Sequence, residues 1–176
     1  ASQFVESLKK GGTGSTKAVK PGSTVPVQKS SEPVDLLTEV VRRIDEKQYA
    51  GAEAILNQML TREPGNPQVC QLMARLHLQR GDVQVALGEY RFLAGAALRA
   101  HDLTLAESLI QEFLSADPNS VPLLELNGEL LEEQGDGGGA AIQYAKAIEL
   151  LLEHPEPGME SLHEELFEKV RSLSSD

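Results

Sequence analysis

From about Pro33 onward, apolar residues recur every three or four positions, as in Leu36, Leu37, Val40, Val41 and Ile44. That spacing lines one face of an α-helix. Short polar or Gly/Pro-containing breaks interrupt it at "EKQY", "REPGNP", "RGD", "AHD", "ADPNS", "QGDGGG" and "HPEPG". The pattern predicts eight helices, over 35–47, 50–62, 67–80, 83–99, 103–115, 121–134, 138–152 and 158–173. No segment alternates with period two, so an all-α chain is expected.

Composition sharpens this expectation. Hydrophobic residues make up 40% of the 176 positions, but aromatics only 4%, with no Trp. A core of Leu, Ile, Val and Ala suits packed helices better than stacked sheets. Residues 11–33, "GGTGSTKAVKPGSTVPVQKSSEP", lack the periodicity and are rich in Gly, Ser, Thr, Pro and Lys. Such a segment buries too little to offset its ordering entropy. The expected organisation is a flexible basic N-terminal segment or linker over 1–33 and a helical domain over 34–176. Residues 1–10, "ASQFVESLKK", could form one or two helical turns. The chain starts at Ala1 rather than Met, which is compatible with a fragment or a processed form.

Two short motifs invite a functional reading and lose it on inspection. "GGTGSTK" resembles a phosphate-binding loop, but Thr16 stands where the second Gly belongs, Ala18 follows Lys17, and no strand precedes. "RGD" at 80–82 resembles an adhesion signal. Between two helical patterns it reads more simply as a turn, with Gly81 ending one helix in a left-handed conformation and Asp82 capping the next.

The turns recur in register. Residues 47–56 ("KQYAGAEAIL"), 81–90 ("GDVQVALGEY"), 101–110 ("HDLTLAESLI") and 135–144 ("GDGGGAAIQY") each place a small residue at the same offset: Ala52, Ala86, Ala106 and Ala140. Four positions later a large one follows: Leu56, Tyr90, Ile110 and Tyr144. Other positions agree, namely Cys70, Met73, Ala74, His77 and Leu93 around one turn, and Leu124, Asn127, Gly128, Leu131 and Ala147 around another. Over about 34–152 the chain resembles the tetratricopeptide repeat, a helical hairpin of about 34 residues. The resemblance implies hairpins stacked as a short right-handed solenoid, with 158–173 as its C-terminal capping helix. Met159, Leu162, Leu166, Val170 and Leu173 would form the cap's apolar stripe, with Phe167 beside it. The turns are spaced 34, 20 and 34 residues apart, so helix 83–99 fits two roles: second helix of one hairpin and first of the next. A change of twist, or a division into two blocks, is expected there.

The resemblance also implies a concave groove lined by first helices. Its mapped positions are Leu37, Val41 and Ile44; then Gln68, Gln71, Arg75, Leu78 and Gln79; then Arg91 and Arg99, with Gly95 between them; then Glu125, Glu129, Glu132 and Glu133. Such a groove would grade from apolar through basic to acidic and suit a peptide of matching pattern. The same four glutamates also fit a plain solvated face. Leu37 and Val41 replace the polar groups with which some members clamp a carboxylate terminus, so that ligand is not expected.

Charge narrows the partners. Net charge is −11, divided as +3 over 1–33, zero over 34–99 and −14 over 100–176. So acidic a half repels nucleic acid and anionic lipid, and a partner bound by charge would be basic. No apolar run is long enough to insert in a membrane. Cys70 is the only cysteine, and the four His residues fit no zinc spacing, so no disulfide, metal or cofactor is expected. No catalytic constellation converges. The expected role is a non-enzymatic protein-binding scaffold or assembly adaptor; an oligomerisation or regulatory domain of a larger protein is the alternative. A homodimer through the stripe of 158–173, or through Leu37, Val41 and Ile44, stays open. The cytoplasm is favoured over secretion.

Overall fold

The computed structural model describes residues 33–155 and 157–174. The linker expected over 1–33, the helical turns over 1–10 and the phosphate-loop look-alike fall almost wholly outside the described residues. Eight helices are described: α1 (Pro33–Asp45), α2 (Tyr49–Arg62), α3 (Pro67–Arg80), α4 (Val83–Arg99), α5 (Leu103–Ala116), α6 (Val121–Glu133), α7 (Gly137–Glu153) and α8 (Glu160–Ser174). No strand occurs among the described residues. The all-α, tetratricopeptide-like expectation holds, and the last helix runs 160–174 rather than 158–173.

The chain divides into two compact units, Ala1–Pro64 and Gly65–Asp176. In the first, α1 and α2 form a hairpin, with Val40, Ile44, Ala52 and Leu56 fully buried. On α1, Glu39 accepts hydrogen bonds from Arg42 and Arg43 at 2.5 and 2.8 Å. These two guanidinium groups hold its carboxyl down at about 2. Such exposed pairs one helical turn apart support α1 locally.

The second unit holds α3 to α8. Asn66 starts α3 by accepting from the backbone N–H of Gln68 and Val69 at 3.0 and 3.2 Å, with Pro67 at the first helical position. Tyr90 and Phe113 centre one core, their rings 5.4 Å apart and tilted, with Ala74, Ala86, Ala94, Ala106, Ile110 and Leu123 around them. Tyr144 centres a second core with Leu124, Ala140, Ala147, Ile148, Leu151 and Leu166.

Four turns share one construction. Lys47, Gly81, His101 and Gly135 all have positive φ, at 63°, 98°, 61° and 85°. At each, the following N–H reaches back five residues: Gln48 to Arg43, Asp82 to His77, Asp102 to Ala97, Asp136 to Leu131, at 2.7 to 2.9 Å. This is the Schellman closure, which satisfies carbonyls that a helix end would otherwise leave bare. Five residues on, Ala52, Ala86, Ala106 and Ala140 are all 0% exposed. The sequence recurrence is therefore a recurrence of turn plus close helix approach.

Asp82 corrects one detail. It sits at the start of α4, but its carboxylate makes no bond to the helix. It accepts instead from Arg80 Nε at 3.0 Å, so the two charged members of RGD pair with each other. Asp102 and Asp136 do cap, accepting from Leu105 and Gly139 N–H at 3.2 and 2.8 Å.

Helix α4 packs on both α3 and α5, and also reaches α6. It thus serves as the second member of one hairpin and the first of the next, as its sequence implies. The boundary between units falls at 64/65 instead of around this helix.

Two substitutions test this account. Gly81→Ala should cost about 1 kcal/mol or more, because alanine disfavours positive φ. Gly128 of α6 faces the Tyr144 ring, and a Cβ there would collide with it. Gly128→Ala should therefore cost about 1–3 kcal/mol, despite alanine's better helix propensity. Urea unfolding of each variant reads both values.

Candidate protein-binding face

Within the second unit the helices fall into two layers. Arg75 of α3 pairs with Glu112 of α5 through Nε and Oε2 at 2.6 Å, and Leu78 and Gln79 share a small cleft with Glu112, Ser115 and Ala116. These contacts join α3 to α5. On the other side, α4 packs on α6, and Lys169 of α8 reaches across to α6.

The expected groove residues are consequently separated. Gln68, Gln71, Arg75, Leu78 and Gln79 lie on α3 in the α5 layer, and Leu78 is only 7% exposed. Arg91, Arg99, Glu125, Glu129, Glu132 and Glu133 come together on the α4–α6 side. In the first unit Leu37 and Val41 are half-buried, and Ile44 is fully buried, so Ile44 supplies core and not open surface. The reason lies in α4. Because it does double duty, the first helices that follow it line up with α4 itself, leaving α3 in the opposite layer.

The α4–α6–α8 face has a charged centre. Lys169 Nζ lies 4.0 Å from Glu125 Oε2 and 3.7 Å from Glu129 Oε2, and 4.9 Å from the centre of the Tyr144 ring. An ammonium above an aromatic ring and beside carboxylates is attracted by both. The Tyr144 hydroxyl donates to the Glu132 carboxylate. Burial pushes the Tyr144 hydroxyl far above its ordinary range, with Glu132 adding to the shift. Toward the end of α4, Leu98, Arg99, His101, Glu129, Glu132 and Glu133 line a cleft of about 360 Å³. His101 Nδ1 stands 3.6 Å from Glu133 Oε1 there.

Glu125 is the most desolvated of the four glutamates. Burial raises its carboxyl above the usual range, Lys169 pulls it down, and Glu129 and Glu165 push it back up. Lys169, Tyr144 and His101 were not among the expected binding residues. Tyr144 reads in sequence as core and His101 as turn, and both readings are correct as far as they go. Only the packing of α8 places Lys169 beside Tyr144.

No group of His, Cys, Asp and Glu suited to a metal ion exists among the described residues, and none of their helices is long and apolar enough to cross a membrane. Cys70 is half-buried.

Glu125 makes a stability prediction with a definite sign. Its folded carboxyl titrates above its unfolded one, so its contribution to stability is present at low pH and lost as pH rises through the raised value. The window begins at the ordinary Glu value of 4.5 and extends upward. Glu125→Gln should flatten that part of the melting-temperature profile, measured by circular dichroism from acidic to neutral pH.

Residues 43–89 match the tetratricopeptide repeat family. No match is found among curated proteins. Among solved structures, the type III secretion translocator chaperone SycD of Yersinia enterocolitica is similar at 12% identity and TM-score 0.35, covering 83% of this chain and 86% of that one. Its alternative dimer form gives 12% and 0.34, with 81% and 91% covered. MamA MSR-1 C2 gives 17% and 0.34, with 81% and 96% covered. At these scores the fold reading rests on the helices themselves. Residues 43–89 thus carry a tetratricopeptide repeat, a match that supports a protein–protein interaction scaffold.

Proposed function

We propose that the chain is a non-enzymatic scaffold or adaptor that holds a basic segment of a partner protein on the α4–α6–α8 face. The observation that carries this reading is Lys169. Its ammonium already sits among Glu125, Glu129 and the Tyr144 ring, a seat of the kind a partner's Lys or Arg would use. Next to it, the cleft bounded by Glu129, Glu132 and Glu133 offers further carboxylates at the surface. Arg91 and Arg99 on α4 border the same face and would favour an acidic residue flanking the partner's basic ones.

Electrostatics shapes the kinetics. Residues 100–176 carry −14, which steers a cationic segment inward and rejects nucleic acid. Desolvation at Glu125 favours a ligand whose charge stays inside the face, since pairing recovers part of what burial costs that carboxylate.

Fluorescence polarisation with a labelled Lys-rich peptide tests the reading, with an acidic peptide of equal length as control. The basic peptide should bind, and weaken as salt rises. Glu129→Gln with Glu133→Gln should lower its affinity on the order of tenfold, equivalent to about 1.4 kcal/mol. Equal binding by the double variant, or no preference for the basic peptide, would overturn it.

A further inference from the structure

A second surface lies away from this face, on α7 and α8. The five large hydrophobic side chains exposed among the described residues are Val85, Phe92, Ile142, Leu152 and Phe167. Three of them, Ile142, Leu152 and Phe167, at 67%, 60% and 58% exposure, flank one apolar strip on α7–α8. Between them is a hole of about 230 Å³ lined by Ala145, Ile148, Phe167 and Val170. The expected dimer stripe of α8 shares only Val170 with this surface. Leu166 is fully buried, and Met159, Leu162, Val170 and Leu173 pack inward against the Tyr144 core. The cap uses that stripe within its own chain, and Phe167 is left outside it.

We propose that this strip is a homodimer interface, occupied by a second copy of the chain related by a two-fold axis crossing α7 near its middle. The first argument is the register of α7. Ile142, Ala145, Glu149 and Leu152 follow at steps of three, four and three, on one helical face. An antiparallel pairing about Ala147 sets Ile142 against the partner subunit's Leu152 at both ends. The small Ala145 near the axis lets the two helices approach closely.

The second argument is charge. Residues 100–176 hold only three basic side chains, Lys146, Lys169 and Arg171. Lys169 is engaged on the opposite face by Glu125 and Glu129. Lys146 lines the strip together with Glu149, and Arg171 follows Phe167 by one turn and pairs with Glu168. Both signs therefore stand at the edge of the strip, inside a half of the chain that is otherwise strongly acidic. The same two-fold pairing brings Lys146 beside the partner subunit's Glu149, and Glu149 beside the partner subunit's Lys146. A surface complementary to itself in both shape and charge is what an isologous contact requires. The strip is independent of the peptide-binding reading, and failure of peptide binding leaves it intact.

Sedimentation of the full chain over a range of concentrations provides the test. A monomer–dimer equilibrium that persists at high salt is expected. Phe167→Glu and Ile142→Glu should each shift it to monomer, with helicity and melting unchanged because both side chains are exposed. Lys146→Glu should weaken the dimer several-fold, and adding Glu149→Lys should restore it, since a two-fold contact tolerates the exchange of both charges. A chain that stays monomeric throughout, a dimer indifferent to both apolar variants, or a charge exchange without rescue would each overturn the proposal.

Discussion

The left-handed closure at each hairpin is the constraint on which the rest of the chain depends. A helix must stop, reverse and lay its successor alongside itself within two or three residues, and the positive φ at Lys47, Gly81, His101 and Gly135 makes that reversal. The N–H that reaches back five residues satisfies a carbonyl of the last helical turn at each bend. The buried alanine five residues later then lets the two helices meet closely, and Leu56, Tyr90, Ile110 or Tyr144 fills the space beyond. Glycine adopts this conformation freely; Lys47 and His101 do so against their preference. Their persistence shows how firmly the neighbouring helices impose the turn.

Spacing between those turns decides what the surface can do. Steps of 34 residues would keep every first helix in one layer. The single step of 20 makes α4 serve twice, and the layers exchange at that point. Arg75 then meets Glu112 on α5 and is absent from the charged face, while Arg91 and Arg99 are carried to the edge of the glutamates on α6. Within Gly65–Asp176 the glutamates of α6 thus share a face with Arg99 of α4 and Lys169 of α8.

That face concentrates opposing electrostatic demands. Glu125 is partly desolvated and next to other carboxylates, which favours its neutral form, while Lys169 favours the charged one. The Tyr144 ring joins core to surface, since it fills the second core and also underlies the Lys169 ammonium. Gly128 is small because that ring stands against it. The second core and the charged face therefore share a residue, and a change at Gly128 would be felt at both. The exposed apolar strip on the far side of α7 arises from the same arrangement: α8 covers one side of α7 and leaves Ile142 and Leu152 outside.

By itself the sequence determined the helices, their turns and the recurrence between them. Each is set by local means: apolar spacing of three and four, a turn residue that accepts positive φ, a small residue at a fixed offset. Asp82 shows the limit of such reasoning, because a capping residue in sequence was drawn instead to Arg80, its neighbour across the glycine. Which side chains share a face was decided only by tertiary structure. Arg75 and Arg91 look alike along the chain but stand in different layers, and Lys169 joins Glu125 from 44 positions away. Local pattern fixes where a side chain points on its own helix; which helix it then meets depends on how α4 and α8 pack, and that is a property of the whole assembly of helices.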